Sequence, residues 1–184
     1  MKIYWNAILL ALSLIGCTSN ARQPALHDFG WTDINVAVGP DKQKEAVTVD
    51  APSWLWESRI RYRLLYSAPT EVRFYGQDMW IASPPELFQQ QLRASDKIQS
   101  HRLLVKLQTF EQQFDTSDKA RVLLHFSAEV YSADNLNKKA RHEFKLEQIT
   151  NTPDAKGAIS GFANLSKQAV SQLEGWLSSL PDSH

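Results

Sequence analysis

Apolar positions along the chain follow two periods, and the switches between them mark out the elements. Ile34, Val36 and Val38 alternate with smaller or polar residues, as do Val47 and Val49, which predicts two short strands flanking the polar loop GPDKQKE. In the run RIRYRLLY, Ile60, Tyr62 and Leu64 fall on one side of a strand and Arg59, Arg61 and Arg63 on the other, because side chains alternate across a pleat. SAPT turns the chain, and Val72 and Phe74 continue the apolar face on a return strand with Glu71, Arg73 and Tyr75 opposite, so the pair reads as a hairpin. Three further alternating runs, LLVKLQTFEQQF, ARVLLHFSAEVYS and KARHEFKLEQI, are separated by the short polar stretches DTSDK and ADNLNK, which predicts an antiparallel meander. Val122, Leu124, Phe126, Ala128 and Val130 form one face of its middle strand, and Asp115 and Asp118 are expected to organise a turn by side-chain hydrogen bonding rather than to hold calcium.

Helical period appears twice. Ser83, Pro84 and Glu86 stand as N-cap, N1 and N3 of a helix over residues 84–94, with Leu87, Phe88 and Leu92 as its buried stripe and Gln89, Gln90 and Gln91 as its wet side. Near the end, Thr152 can cap and Pro153 can occupy N1 of a long second helix whose stripe is Ala155, Ile159, Phe162, Leu165, Ala169, Leu173, Trp176 and Leu180. Gly157 and Gly161, one turn apart, suit close backbone packing on a strand, since their surroundings are too polar for a membrane span. The fold class expected is α+β: a mainly antiparallel mixed sheet with two helices packed on one face.

The first residues follow a different plan. Lys2 is a short positive region, Ala7 to Ile15 is apolar, and Gly16 precedes Cys17, the order of a bacterial secretory signal. The apolar run is about half of the ~20 residues that a membrane-spanning helix needs. Leu14-Ile15-Gly16-Cys17 resembles the lipobox, in which the thiol is alkylated with diacylglycerol and becomes the mature N-terminus. On that reading residues 1–16 are a signal peptide, residues 17–28 a lipidated polar tether, and residues 29–184 a single domain opening at Phe29. With 1 cysteine in the chain no internal disulfide is available, so an ordinary core must hold the fold, as a domain of about 150 residues can by burying roughly 68–70% of its unfolded surface.

Charge and motif content then remove functions. Lys+Arg and Asp+Glu number 20 each, and loss of Lys2 with the signal leaves 19 against 20, which argues against bulk nucleic-acid binding. No phosphate-cradling loop, dinucleotide fingerprint or G-x-S-x-G elbow occurs. His142-Glu143 begins like a zinc-binding H-E-x-x-H, but Leu146 stands at the second histidine position and strand alternation would part the neighbours. His125 and His142 read as sheet residues. Neither a catalytic residue nor a metal or cofactor is expected, apart from the covalent lipid on Cys17.

One ordered set of segments resembles the ABC-type transport auxiliary lipoprotein family: LIGC, HDFG, VDAPSWL, RIRYRLLY, FYGQDMWIASPPELFQQQL, LQTFEQQFD and TPDAKGA, covering nearly the whole mature chain. The resemblance implies a non-enzymatic periplasmic lipoprotein of an envelope lipid-transport system, working with an MCE-domain (mammalian cell entry) protein and an ABC permease and ATPase. Some relatives assemble as homo-oligomeric rings. Thr18, rather than Asp, follows the lipidated residue, and the family's sorting rule then implies the periplasmic face of the outer membrane.

Trp54, Trp56, Tyr75 and Trp80 cluster around these motifs as candidates for lipid or partner contact, against the plainer reading that they are core. Arg61 and Arg63 are candidates for the same role, against a solvated row paired with Glu111, Glu129 or Glu143 on neighbouring strands. Two other functions fit the same chain: a stand-alone periplasmic carrier, which would need a sizeable apolar cavity, and an envelope enzyme with a site of scattered residues in a cleft.

Overall fold

A computed structural model describes residues 23–30, 46–132 and 137–181. The expected signal peptide, Cys17 and the strand at Ile34, Val36 and Val38 with its GPDKQKE loop lie outside the described residues. The elements are β1 (Ala25–His27), β2 (Val47–Asp50), a 3-10 turn (Ser53–Leu55), β3 (Arg59–Leu64), β4 (Ala68–Trp80), α1 (Pro84–Arg93), α2 (Asp96–Gln99), β5 (Arg102–Thr116), β6 (Lys119–Tyr131), β7 (Lys138–Ile149) and α3 (Ala155–Ser179). β1 thus falls within the stretch read as tether.

One sheet takes the order β1-β4-β3-β5-β6-β7, with β2 also paired to β5. The meander β5–β6–β7 and the hairpin β3–β4 are antiparallel, as the short connections predict. The pairings β1–β4, β2–β5 and β3–β5 are parallel, so the sheet is mixed. β2 and β3 share one edge of the long β5, at Leu103–Lys106 and Gln112–Phe114 respectively. These contacts join residues far apart in sequence, which local patterning does not encode. A third helix, the single turn α2, joins the two expected ones.

The outer edge of β2 is closed by α1. Gln89 Oε1 accepts from the Val49 N–H at 2.9 Å, and Arg93 donates to the Val47 carbonyl at 2.8 Å. Bare strand edges recruit other chains, so side chains that satisfy them protect the fold. Only Gln90 of the glutamine run is fully exposed; Gln89 and Gln91 are half-buried, which corrects the reading of the run as a wet face. At the start of α1 the Glu86 carboxylate accepts from the Ser83 N–H at 2.9 Å and from its hydroxyl at 2.6 Å, the expected capping box.

Val122, Leu124, Phe126 and Ala128 are completely buried, as their alternation predicts. A register shift between Leu107 and Thr109 turns Phe110 to the same side as Leu107, so both can meet the helices. Phe162 of α3 stacks on Phe110 at 3.9 Å, Trp80 stands edge-on to Phe29 at 5.3 Å, and Phe88 of α1 meets Phe126 at 5.2 Å. The interior is filled with interlocking rings.

Three local expectations change. In the hairpin, Arg61 pairs with Phe74 and Tyr62 with Arg73. Phe74 therefore lies on the arginine side, beneath the Arg59 guanidinium at 3.6 Å, while Tyr75 packs at a tilt against Tyr62 at 4.7 Å. Register shifts along β3–β4 reverse the parity that strict alternation assigned. The long helix starts at Ala155 with Asp154 as N-cap, whose carboxylate accepts from the Gly157 N–H at 2.8 Å and the Thr152 hydroxyl at 2.6 Å. Thr152 therefore supports the cap instead of being it. Gly161 does pack on the strand, since a Cβ there would lie 2.7 Å from Val122 Cγ2, but Gly157 packs on the backbone of Thr152.

Candidate functional site

The six described candidates do not converge on one site. Trp54 and Trp56 flank the core residue Leu55 on the 3-10 turn and its exit, 58% and 46% exposed, and the Trp56 indole donates to the Ala51 carbonyl at 3.1 Å. That hydrogen bond fixes one ring against the turn while leaving the Trp54 ring to solvent.

Arg61 and Arg63 lie on the side of β3 opposite Tyr62. The Arg63 Nε donates to both carboxylate oxygens of Glu111, at 3.1 and 3.0 Å, the cross-strand pairing expected for one of these rows. Gln113 also donates to Glu111 at 2.7 Å, so that buried carboxylate is well compensated. Arg61 is more enclosed: its side chain is 11% exposed, Glu57 is 3.9 Å away, and its Nε has no hydrogen-bond partner. Burial pulls its pKa down, opposed by the charges of Glu111 and Glu57. The row is embedded in charge pairs rather than presented as free cations.

Tyr75 and Trp80 face inward. The Tyr75 hydroxyl donates to Gln112 Oε1 at 2.6 Å, and burial holds the phenol well above its usual range. Gln112, itself fully buried, passes the network on by donating to the Asp154 carbonyl at 3.3 Å, next to the cap of α3. Trp80 is 1% exposed and belongs to the core. Its large apolar ring is better placed there than at a contact surface, as the plainer reading held. Cys17 lies outside the described residues.

Tertiary structure assembles a different place, which sequence reasoning missed. A cleft of 640 Å³ opens between β1, the end of β4 and the first turns of α3. His27 Nε2 and Asp78 Oδ1, 2.9 Å apart, line it, and Lys156 and Ser160 come from α3. Leu26 and Ile81 form its apolar rim, 61% and 63% exposed. His27 and Asp78 are 51 residues apart in sequence, and no motif spans them. Ser160 donates to the Gly157 carbonyl of its own helix at 3.2 Å. Among the described residues no group of three or more metal-ligating side chains occurs, and no helix is long and apolar enough to cross a membrane.

Fold and surface of the described residues together define an α+β architecture: a mixed seven-stranded sheet with a long C-terminal helix over the meander, outward tryptophans on one connection and an amphipathic cleft at the β1 end. Solved structures share this fold. The protein XCC0632 from Xanthomonas campestris, assigned to the family DUF330, aligns with a TM-score of 0.62 at 16% identity, over 71% of this chain and 80% of its own. A second structure, of an uncharacterized protein, aligns with a TM-score of 0.63 at 10% identity, over 84% of this chain and 99% of its own. At such identities the likeness is one of fold. No family model and no curated protein matches the chain.

Proposed function

We propose that the chain is an outer-membrane lipoprotein, anchored through Cys17 on the periplasmic face, that serves as a non-enzymatic auxiliary component of an ABC/MCE-type lipid-transport system. Its task on this reading is docking. The carrying observation is the contrast between a filled interior and aromatic side chains turned outward: Phe110, Phe162, Phe29 and Trp80 close the core, while Trp54, in the segment VDAPSWL, is 58% exposed. A protein that encloses lipid needs room inside, whereas one that docks needs rigid, amphipathic contact area outside. The sequence resemblance supplies the partner, an MCE-domain protein with its permease and ATPase, and the likeness to the DUF330 structure is compatible with it.

The test is co-purification from native membranes. Trp54→Ala is expected to reduce recovery of the MCE protein by about 30-fold in affinity, the size of a hot-spot truncation of ~2 kcal/mol, with the circular-dichroism spectrum unchanged. Labelled palmitate should enter the wild-type chain and not Cys17→Ser. Recovery of the partner at wild-type levels with Trp54→Ala would remove that ring from the interface, and equal palmitate label in both chains would end the lipoprotein reading.

A further inference from the structure

Among the described residues three large aliphatic side chains are open to solvent, Ile149, Ile81 and Leu26, and the last two border the same cleft. These two sit on adjoining backbone, since the Ile81 N–H donates to the His27 carbonyl at 2.8 Å. Opposite them, α3 contributes Ile159 and Ala163 together with Lys156 and Ser160. Asp28 and Asp78 bring negative charge to the same opening. The cleft therefore combines apolar walls with one ammonium group and two carboxylates, of which Asp78 is already paired with His27, and it matches neither a purely anionic nor a purely cationic surface.

Chain length says what lies near it. Nine peptide steps separate Cys17 from Leu26, so an extended tether reaches at most about 30 Å. β4 has 13 residues, and its far end, at the turn carrying Tyr66, lies about 40 Å from Ile81. β1 carries the tether into the domain and lines the cleft, so the cleft is where a lipid on Cys17 is joined to the described part of the chain.

We propose that the Leu26–Ile81 rim and the adjoining cleft form a membrane-contact surface that seats the domain on zwitterionic phospholipid in a fixed orientation. This rests on the lipidation of Cys17 proposed above. Leu26 and Ile81 enter the boundary between head groups and acyl chains; Lys156 meets lipid phosphate, and Asp28 meets the head-group ammonium. Mixed charge suits a head group that carries both signs, and the two aliphatic side chains gain from leaving water. One lipid anchor alone gives only marginal, reversible binding and no orientation; the rim supplies both a second attachment and a direction.

The experiment uses the full lipidated chain in vesicles of phosphatidylethanolamine and phosphatidylcholine carrying a spin-labelled phospholipid as quencher. A single cysteine introduced as Ile81→Cys, or as Tyr66→Cys for comparison, carries a bimane fluorophore; Cys17 is alkylated and does not react. Quenching at position 81 is expected to exceed that at position 66 by about threefold or more, since the rim would lie within the ~5–10 Å interfacial layer. Leu26→Asp combined with Lys156→Glu should bring position 81 down to the level of position 66 while the protein still floats with the vesicles. Equal quenching at the two positions in floating protein overturns the proposal. So does a position 81 shielded from both the lipid quencher and aqueous iodide, which would mean that a protein segment covers it. Failure to float, with no palmitate label, refutes the lipidation of Cys17 and this surface with it, and is read separately from the quenching.

Discussion

Glu111 shows how a single charge decides what the arginine row can do. Its carboxylate, 8% exposed, accepts from Arg63 and Gln113. Reversing Arg63 would set two carboxylates together in a poorly hydrated position, where like charges repel and both lose a partner. Arg63→Glu is therefore expected to cost about 2–3 kcal/mol, less than the ~3–5 of a fully buried pair because the arginine retains contact with water. Arg63→Gln with Glu111→Gln should recover most of it, and urea denaturation of the two variants measures the difference. Wild-type stability of Arg63→Glu would show a pair without structural weight. A loss of partner binding after reversing Arg61 and Arg63 would thus report unfolding as readily as a lost interface, which makes Trp54 the cleaner probe. His125 adds a pH term of known sign. Burial is the main cause that lowers its pKa below 6.5, with Glu147 opposing. Where the unfolded ring binds a proton that the native one does not, stability falls. That loss begins as pH drops through 6.5 and stops growing once the native ring is also protonated.

At the scale of elements, α3 carries the sheet's cover through few side chains. Phe162, 1% exposed and stacked on Phe110, should cost about 3–5 kcal/mol on truncation to Ala. Trp176, read from the stripe as equally buried, is only half-buried; it lies flat on His142 at 5.7 Å and edge-on to Phe144 at 6.0 Å, while Leu177 takes the core position. Trp176→Ala is expected to cost about 1–2 kcal/mol, the value of a partly exposed ring contact. Thermal melts of both variants check the ranking, and an equal loss would place the helix axis differently from the structure. The same elements show how far sequence reaches. One face of β6 was legible because Val122, Leu124, Phe126, Ala128 and Val130 alternate, whereas the burial of Leu123, Ser127 and Glu129 on its other face was not; α1 was legible because Ser83, Pro84 and Glu86 each act within one turn. The parity of Phe74 and Tyr75 was not, since a register shift is set by the partner strand. The start of α3 was misplaced because Thr152 and Asp154 are both good caps, and only the backbone path shows which carboxylate or hydroxyl reaches the free N–H of Gly157. His27, Asp78 and Lys156 carry no local signal at all; the parallel pairing of β1 with β4 brings the first two together.

For the whole molecule the deciding quantity is where apolar volume lies. A solitary carrier must hide acyl chains from water between one membrane and the next, which calls for an enclosed apolar chamber. Between sheet and helices that space is occupied: Phe110 and Phe162 stack at 3.9 Å, Phe126 and Phe144 at 4.6 Å, and Trp80 meets Phe162 at 5.8 Å. The 640 Å³ cleft lies at the surface with Lys156, Asp28 and Asp78 among its walls, a place for a head group rather than for two acyl chains. Opening the interior would separate stacked rings and expose Phe162, at the cost of several kcal/mol that its truncation measures. The purified Cys17→Ser chain, free of its anchor, is therefore expected not to accelerate transfer of a fluorescent phospholipid between donor and acceptor vesicles above the spontaneous rate. In cells, deletion of the MCE-domain partner should abolish whatever effect the chain has on lipid traffic, because docking does nothing without its target. Saturable transfer by the isolated chain, with lipid recovered in stoichiometric amount, would overturn the docking reading and favour a carrier whose chamber opens by moving α3 off the sheet.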